Sequence, residues 1–414
     1  MKFTKPAFAL VLASFAVPAA AQMGGSVDPS PPVADQPQAK KATGPQIKLS
    51  GKAGKAIMDL QTAVKANDTA NIPAKVAAAQ ALAQSKDDHY AIAQLQFQAA
   101  QNAKDNAASV AAADAIAASG YVDGQVVAGV YNKVGVDAYN NKQYDLAASA
   151  FQKSAAINAN DLETLKFLGL AQNMAGKKAE ASATFMRALK AGSASGQKAP
   201  EDLYKQAVGV AFAARTPTAV DLGREWVAAY PSPDSWHDSL VIYRNLGNPE
   251  QGLALDIMRL ASATNSMKGT GDYNIYASET INTQNWGEAK AVVAEGISSG
   301  KIKATDPIVQ DLQTALKGKT APTAAELAAR EAGAKLPAAY MRVGDAYYGS
   351  GNYQKAASLY RSALDKGADA NLANLRLGEA LARSGDKAGA AAALGKVGGS
   401  QANIAKFWLI YVGH

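Results

Sequence analysis

Three histidines, His89, His237 and His414, are the whole imidazole content of the chain, and cysteine is absent. A zinc site or a thiol nucleophile needs such side chains grouped at short spacing, as in H-E-x-x-H, and here they stand far apart, the last at the C-terminus. His237, between Trp236 and Asp238, reads as a half-exposed helix residue and not as a general base. The segment Lys317 to Thr320, KGKT, has the ending of a phosphate-binding loop. The first glycine of that motif would fall at Gln313, however, and Ala321-Pro322 stand where a helix should begin. Gly269-Thr270-Gly271 opens a G-x-G, but no strand precedes it and Asn274 occupies the last glycine position. Ser195 and Lys198 keep S-x-x-K spacing inside a glycine-rich connection, which lacks the packed support that fixes a nucleophile against its base. The pair Asp87-Asp88 fits the start of a helix, where the dipole favours acids. These residues assemble no catalytic or metal-binding constellation, and the expectation is a non-enzyme without cofactor or metal.

Composition points the same way. The 414 residues carry 42 Lys and Arg against 35 Asp and Glu, a formal charge of +7 scattered along the chain, with Lys40-Lys41 the nearest approach to a basic cluster. Nucleic-acid binders gather positive charge into a face or stripe, so no nucleic-acid partner is expected. Alanine dominates and aromatics are 7%, which favours closely packed small-residue helices over sheets. Without cysteine there is no disulfide and no lipoprotein-type anchor, so stability must come from helix packing.

Residues 1–21, MKFTKPAFALVLASFAVPAAA, have the layout of a Sec-type signal peptide: Lys2 and Lys5, an apolar run from Ala7 to Val17, then Pro18 and small residues. Cleavage is expected after Ala21, with delivery to the periplasm or the medium. The run is too short to cross about 30 Å of hydrocarbon, and no other segment is long enough, so no integral membrane span is expected in the mature chain. Residues 22–46 contain Pro29, Pro31, Pro32, Pro37 and Pro45 with little to bury, and read as a disordered tether.

The elements that follow repeat. Gly344, Ala356, Tyr360 and Ala363 are each matched 34 residues later by Gly378, Ala390, Leu394 and Val397. Upstream, Tyr131, Gly135, Ala147, Phe151 and Ser154 recur at the same interval as Leu165, Gly169, Ala181, Phe185 and Ala188. Turns fall at NKQY, AGKK, GNYQ and GDKA. A fixed period with this pattern is a solenoid signature, since one such unit cannot bury its own flank. Gly169 and Gly344 lie 175 residues apart, five periods of 34 and five residues over, so the intervening units are interrupted. Gly192–Asp202, Thr264–Asp272 and Lys317–Glu326 are candidates for the surplus.

With this period and these small and large positions, the chain resembles the tetratricopeptide-repeat family. The resemblance implies an all-α fold, a right-handed superhelical solenoid of antiparallel helix pairs. The expected division is degenerate repeats over 47–130, two clear units over 131–192, degenerate repeats with loop insertions over 193–335, two clear units over 336–399, and a capping helix over 400–414. The family's later proline is replaced by Ala159 and Ala368, which leaves the turns between units less sharply defined.

Carried over position by position, the family's inner face nominates Asn132, Val136, Tyr139 and Asn140. In the second unit it nominates Lys166, Leu170 and Asn173; in the third Met341, Asp345 and Tyr348; and in the fourth Leu375, Glu379 and Arg383. Rings, amides and both charges in one surface suit a protein or peptide partner. Lys166 matches the lysine of the family's carboxylate clamp, but Leu170 replaces its asparagine, so that ligand is not implied. The resulting expectation is a non-enzymatic scaffold in the bacterial envelope. An envelope-glycan role, with Tyr139, Tyr348 and Trp286 stacking on sugars, is the alternative.

Overall fold

A computed structural model describes residues 47–194, 196, 198–246 and 252–414. The expected signal segment with its cleavage site, the tether and Ser195 lie outside the described residues. Within them there are twenty-one α-helices, one 3-10 turn and no strand, in two compact units divided after Lys177. The division falls inside the 131–192 span.

The first unit contains α1 (Gly51–Lys65), α2 (Ile72–Leu82), α3 (Lys86–Asn102), α4 (Asn106–Ser119), α5 (Gly124–Asn140), α6 (Tyr144–Ile157) and α7 (Leu162–Met174). Short acidic and hydroxyl side chains start these helices by accepting a free backbone N–H: Asp105 for α4, Asp123 for α5, Asp161 for α7, and a Ser85–Asp88 capping box for α3. Each hairpin covers its neighbour. Ala91, Ile92 and Leu95 of α3 pack with Ile57, Leu60 and Ala79, while Tyr90, Ala93 and Phe97 on its other side pack with Ile116, Val127 and Tyr131. Asp88 does more than start a helix. It is fully buried and accepts from the backbone N–H groups of Ser50 (2.9 Å), Gln84 (3.0 Å) and Ser85 (3.1 Å), tying the entering chain to α3. Burial alone would raise its pKa, but these donors outweigh that and pull it down to about 2.

The second unit runs through α8 (Lys178–Ala194), α9 (Glu201–Ala213), α10 (Thr218–Ala229), α11 (Pro233–Leu246), α12 (Ala254–Ala263), α13 (Gly269–Asn282) and α14 (Trp286–Ser298). It continues with α15 (Pro307–Ala315), α16 (Ala324–Gly333), α17 (Pro337–Gly349), α18 (Tyr353–Asp365), α19 (Ala370–Ser384), α20 (Lys387–Leu394) and α21 (Ala402–Gly413). Most neighbours in sequence are neighbours in space, as a helical solenoid requires, and α14 also meets α17 directly. The last helix does two things. It covers α20, and it also returns to α10, α12 and α19, so this unit closes on itself.

The reversals share one backbone device. Asn67, Lys104, Lys142 and Gly176 in the first unit, and Arg215, Gly252, Gln284, Gly318, Gly351 and Gly385 in the second, have φ between 51° and 107°. One left-handed residue lets the chain turn while closing the helix end: Lys142 N–H donates to Tyr139 O and Gln143 N–H to Ala138 O, each at 2.9 Å. From Gly176 to Gly351 these residues are spaced by 39, 37, 32, 34 and 33, so the surplus over a strict repeat is spread through the middle units.

A second device sets the helix distance. A Cβ on Gly135 would lie 2.7 Å from the Phe151 ring, on Gly344 2.7 Å from the Tyr360 ring, and on Gly378 2.4 Å from Leu394. Each large partner comes from the next helix, and only a hydrogen fits between. Gly135→Ala is therefore expected to destabilise the first unit by about 1–3 kcal/mol. Gly129→Ala, on the same helix with nothing within 4 Å of its Cβ, should stabilise it by about 0.5–1 kcal/mol. Urea denaturation of the two variants reads the opposite signs, and equal effects would contradict the close approach.

Candidate partner-binding faces and a buried charge cluster

The nominated inner-face residues fall into two environments. In the first unit they reach solvent. Val136 is 37% exposed, Asn140 is exposed, and Tyr139, Leu170 and Asn173 are half-buried on the adjacent helices α5 and α7. Asn132 donates from Nδ2 to Thr164 Oγ1 at 2.8 Å, bracing α5 against α7. Lys166 pairs with Glu163 at 3.2 Å and lies over the Phe167 ring. The Tyr139 ring meets Tyr144 edge-on at 5.5 Å. Beside them, Lys142 to Leu146 with Met174 and Ala175 line a shallow open hollow, in which Met174 is 49% exposed. Met174 was not nominated from sequence. It directly follows Asn173, where α7 ends, and an exposed apolar residue there was the available signal.

In the second unit the same positions differ. Met341 and Arg383 are half-buried, but Tyr348 is buried and Leu375 and Glu379 are fully so, and as placed these three offer a partner no surface. The cause is α12. Its residues Leu255 to Ala261 are buried on every side, because α11 and α13 cover one flank while α19 and α21 cover the other. A helix enclosed in this way is expected to be apolar all round, and α12 breaks that rule at Asp256 and Arg259.

Both exceptions reach the later repeats. Arg259 donates Nε to Glu288 Oε1 (2.9 Å) and Nη2 to Glu288 Oε2 (2.8 Å), the two-pronged pairing that suits a guanidinium. Its Nη1 lies 3.3 Å from Asp345 Oδ1 and 3.7 Å from Glu379 Oε2, and its plane is 4.1 Å from the centre of the Tyr348 ring. Arg376 of α19 joins Asp256 (3.2 Å) to Asp345 (2.7 Å). Neutral donors complete the two central acids: Tyr276 and Asn285 donate to Glu288, and Tyr360 donates to Asp345. Asp345 and Tyr348, read from sequence as partner contacts, here hold the repeats to α12.

Four carboxylates thus face two guanidinium groups, and they are unequally satisfied. Asp256 Oδ2 and both oxygens of Glu379 have no hydrogen-bond partner among the described residues. Burial raises the pKa of Glu379 well above the usual range, with neighbouring Asp256 adding to the rise against Arg259 and Arg376. Asp256 is raised too, again first by burial, with Arg376 opposing. Apolar packing completes the closure. Phe407 of α21 lies between Trp236 (6.2 Å) and Tyr243 (5.8 Å), while Arg224 stacks on its ring and donates to Asn403 Oδ1 at 2.8 Å.

The motifs that could have done chemistry take structural places. Gly318 of KGKT is the left-handed residue between α15 and α16, and Lys319 Nζ lies 4.9 Å from the Trp286 ring centre. Gly269 and Gly271 sit in the first turn of α13. His237 stands 2.9 Å from Asp238 and 3.3 Å from Asp272.

Residues 337–365, which span α17 and α18, match the family described as tetratricopeptide repeat. That stretch contains the Gly344–Tyr360 close approach and the left-handed turn at Gly351, so the match and the geometry coincide there. Similar solved structures include PilF of Pseudomonas aeruginosa, at 14% identity and TM-score 0.24, covering 64% of this chain and 97% of that one. Another is a tetratricopeptide repeat protein from Parabacteroides merdae, at 16% identity and TM-score 0.28, covering 61% and 98%. The apo form of RapI is a third, at 14% and 0.27, covering 76% and 97%. No curated protein matches the chain significantly. Among the described residues no helix is long and apolar enough to cross a membrane.

Removing one partner of a buried ion pair strands the others. Arg259→Ala should therefore destabilise the second unit by about 3–5 kcal/mol, whereas Lys166→Ala, at a partly exposed pair in the first unit, should cost under about 1 kcal/mol. Chemical denaturation of the two variants checks this, and equal losses would show that the cluster does not tie α12 in place.

Proposed function

We propose that the chain is a non-enzymatic protein-interaction scaffold, exported to the bacterial cell envelope, that takes its partner on the inner face of its first unit. The observation that carries this reading is the contrast in exposure. Val136, Tyr139, Asn140, Leu170 and Asn173 reach solvent beside Met174, while the corresponding face of the second unit is occupied by α12. A mixed surface of aliphatic, aromatic and amide groups suits an extended peptide or a helix held by several modest contacts. In this reading residues 1–21 direct export and residues 22–46 space the repeats from the point of delivery. A glycan role would use the rings of Tyr139, Tyr348 and Trp286. The Tyr348 ring is buried against Arg259 and the Trp286 ring is faced by Lys319, so two of the three have an intramolecular occupant.

The test is capture from an envelope extract of the native host by the full chain and by variants altered only at exposed positions. Val136→Asp combined with Met174→Asp should weaken capture of a defined partner about tenfold or more. Leu336→Asp, at a 69% exposed residue of the second unit, should leave capture unchanged. Capture insensitive to the first pair, or lost only in Leu336→Asp, would overturn the assignment. The chain recovered from that fraction is expected to begin at Gln22, and recovery of the full-length chain from the cytoplasm alone would overturn export.

A further inference from the structure

We propose that Glu379 is a proton-operated latch: while its carboxyl is neutral, α17 to α19 stay closed on α12, and its ionisation loosens that contact and opens the inner face of the C-terminal repeats.

The geometry singles out Glu379 among the four acids. Glu288 and Asp345 have their oxygens engaged by guanidinium and hydroxyl or amide donors, and Asp256 receives Arg376 on one oxygen. Glu379 is fully buried and receives no hydrogen bond from the described residues, and its nearest guanidinium, at 3.7 Å, is already committed to both oxygens of Glu288. A buried carboxylate without donors is costly, whereas the neutral acid is far cheaper to keep there. With all four acids ionised against Arg259 and Arg376, the enclosure would hold an excess of two negative charges.

Among the described residues, the following groups border Glu379. From α12, Asp256 and Arg259 face Glu379; from α17, Asp345 and Tyr348; and Arg376 precedes it on α19. Tyr360 of α18 borders the cluster through Asp345. Arg383, one turn further along α19, is turned to Tyr353, whose ring it stacks on at 5.1 Å and whose hydroxyl accepts from Nη2 at 2.9 Å, with Tyr411 of α21 beside it. Lys387 is the one charged residue of α20 and is exposed, and the 3-10 turn Gly399–Gln401 has none.

A change of charge acts here because of how α12 is held. Its packing against α13 is extensive, whereas its contact with α19 is thin and includes the ionic pairs Arg259–Glu379 and Asp256–Arg376. The strength of that contact therefore follows their protonation. Because closure raises the carboxyl, the closed form binds a proton that an open form releases. Glu379's own contribution to closure is full below the ordinary carboxylate range and falls as pH climbs from there toward the raised value.

The chain has no cysteine, so introduced thiols label uniquely. Spin labels at Ser262→Cys on α12 and Ser358→Cys on α18, both exposed positions, report the separation in the full chain. At about pH 6 a single distance is expected; at about pH 9 a second, longer population should appear; and with Glu379→Gln or Glu379→Met added, the pH 6 distribution should persist at both. An unchanged distribution in the labelled parent between the two pH values would overturn the latch. So would an undiminished pH response in whichever neutral variant folds.

Discussion

One guanidinium, that of Arg259, sets the architecture of the second unit. It sits on α12 and reaches α14 through Glu288 and α17 through Asp345, and it comes within 3.7 Å of Glu379 on α19. Helix pairs of a solenoid bury their flanks against the next pair and leave an inner face open. Here that face is drawn onto the unit's own helix. A buried guanidinium is tolerated only where its donors are matched, and Arg259 has carboxylates in front and a tyrosine ring beneath. Its pairing explains why Tyr348, Leu375 and Glu379 are buried and why the C-terminal helix can return to α10 and α12.

The two units therefore use one building block toward different ends. In the first, hairpins of nearly equal length stack, and the inner positions of α5 and α7 stay accessible. In the second, Asp345 and Tyr348 at the corresponding positions tie their repeat to Arg259 of α12. One unit thus leaves these positions accessible, and the other covers several of its own with α12.

Much of the fold was legible from residues close in sequence. Gly135 and Phe151, Gly344 and Tyr360, and Gly378 and Leu394 are sixteen residues apart, so their type and spacing expose a helix-to-helix approach that the structure shows as a Cβ with no room. The reversals were legible at Lys142, Gly176, Gly351 and Gly385 but less so at Lys104, Arg215 and Gln284, where a side chain occupies a left-handed conformation that favours glycine. The fate of the inner face was not legible. Asp345 meets Arg259 from 86 residues away and Arg376 meets Asp256 from 120, and no local period encodes either pairing. Position-by-position transfer from the family assumes an open groove. The residual clue was Arg259 with Asp256 in the otherwise apolar run LALDIMRLA, two charges with no solvent-facing side to occupy.

The central claim, that the second unit is closed around α12, is tested most directly by native-state hydrogen exchange of the full chain, resolved by residue. If α12 is enclosed, the amides of Leu255 to Ala261 should exchange only through global unfolding of the unit, at the slow limit shared with α13 and α19. Exchange of those amides well ahead of α13, through a local opening at neutral pH or below, would contradict it.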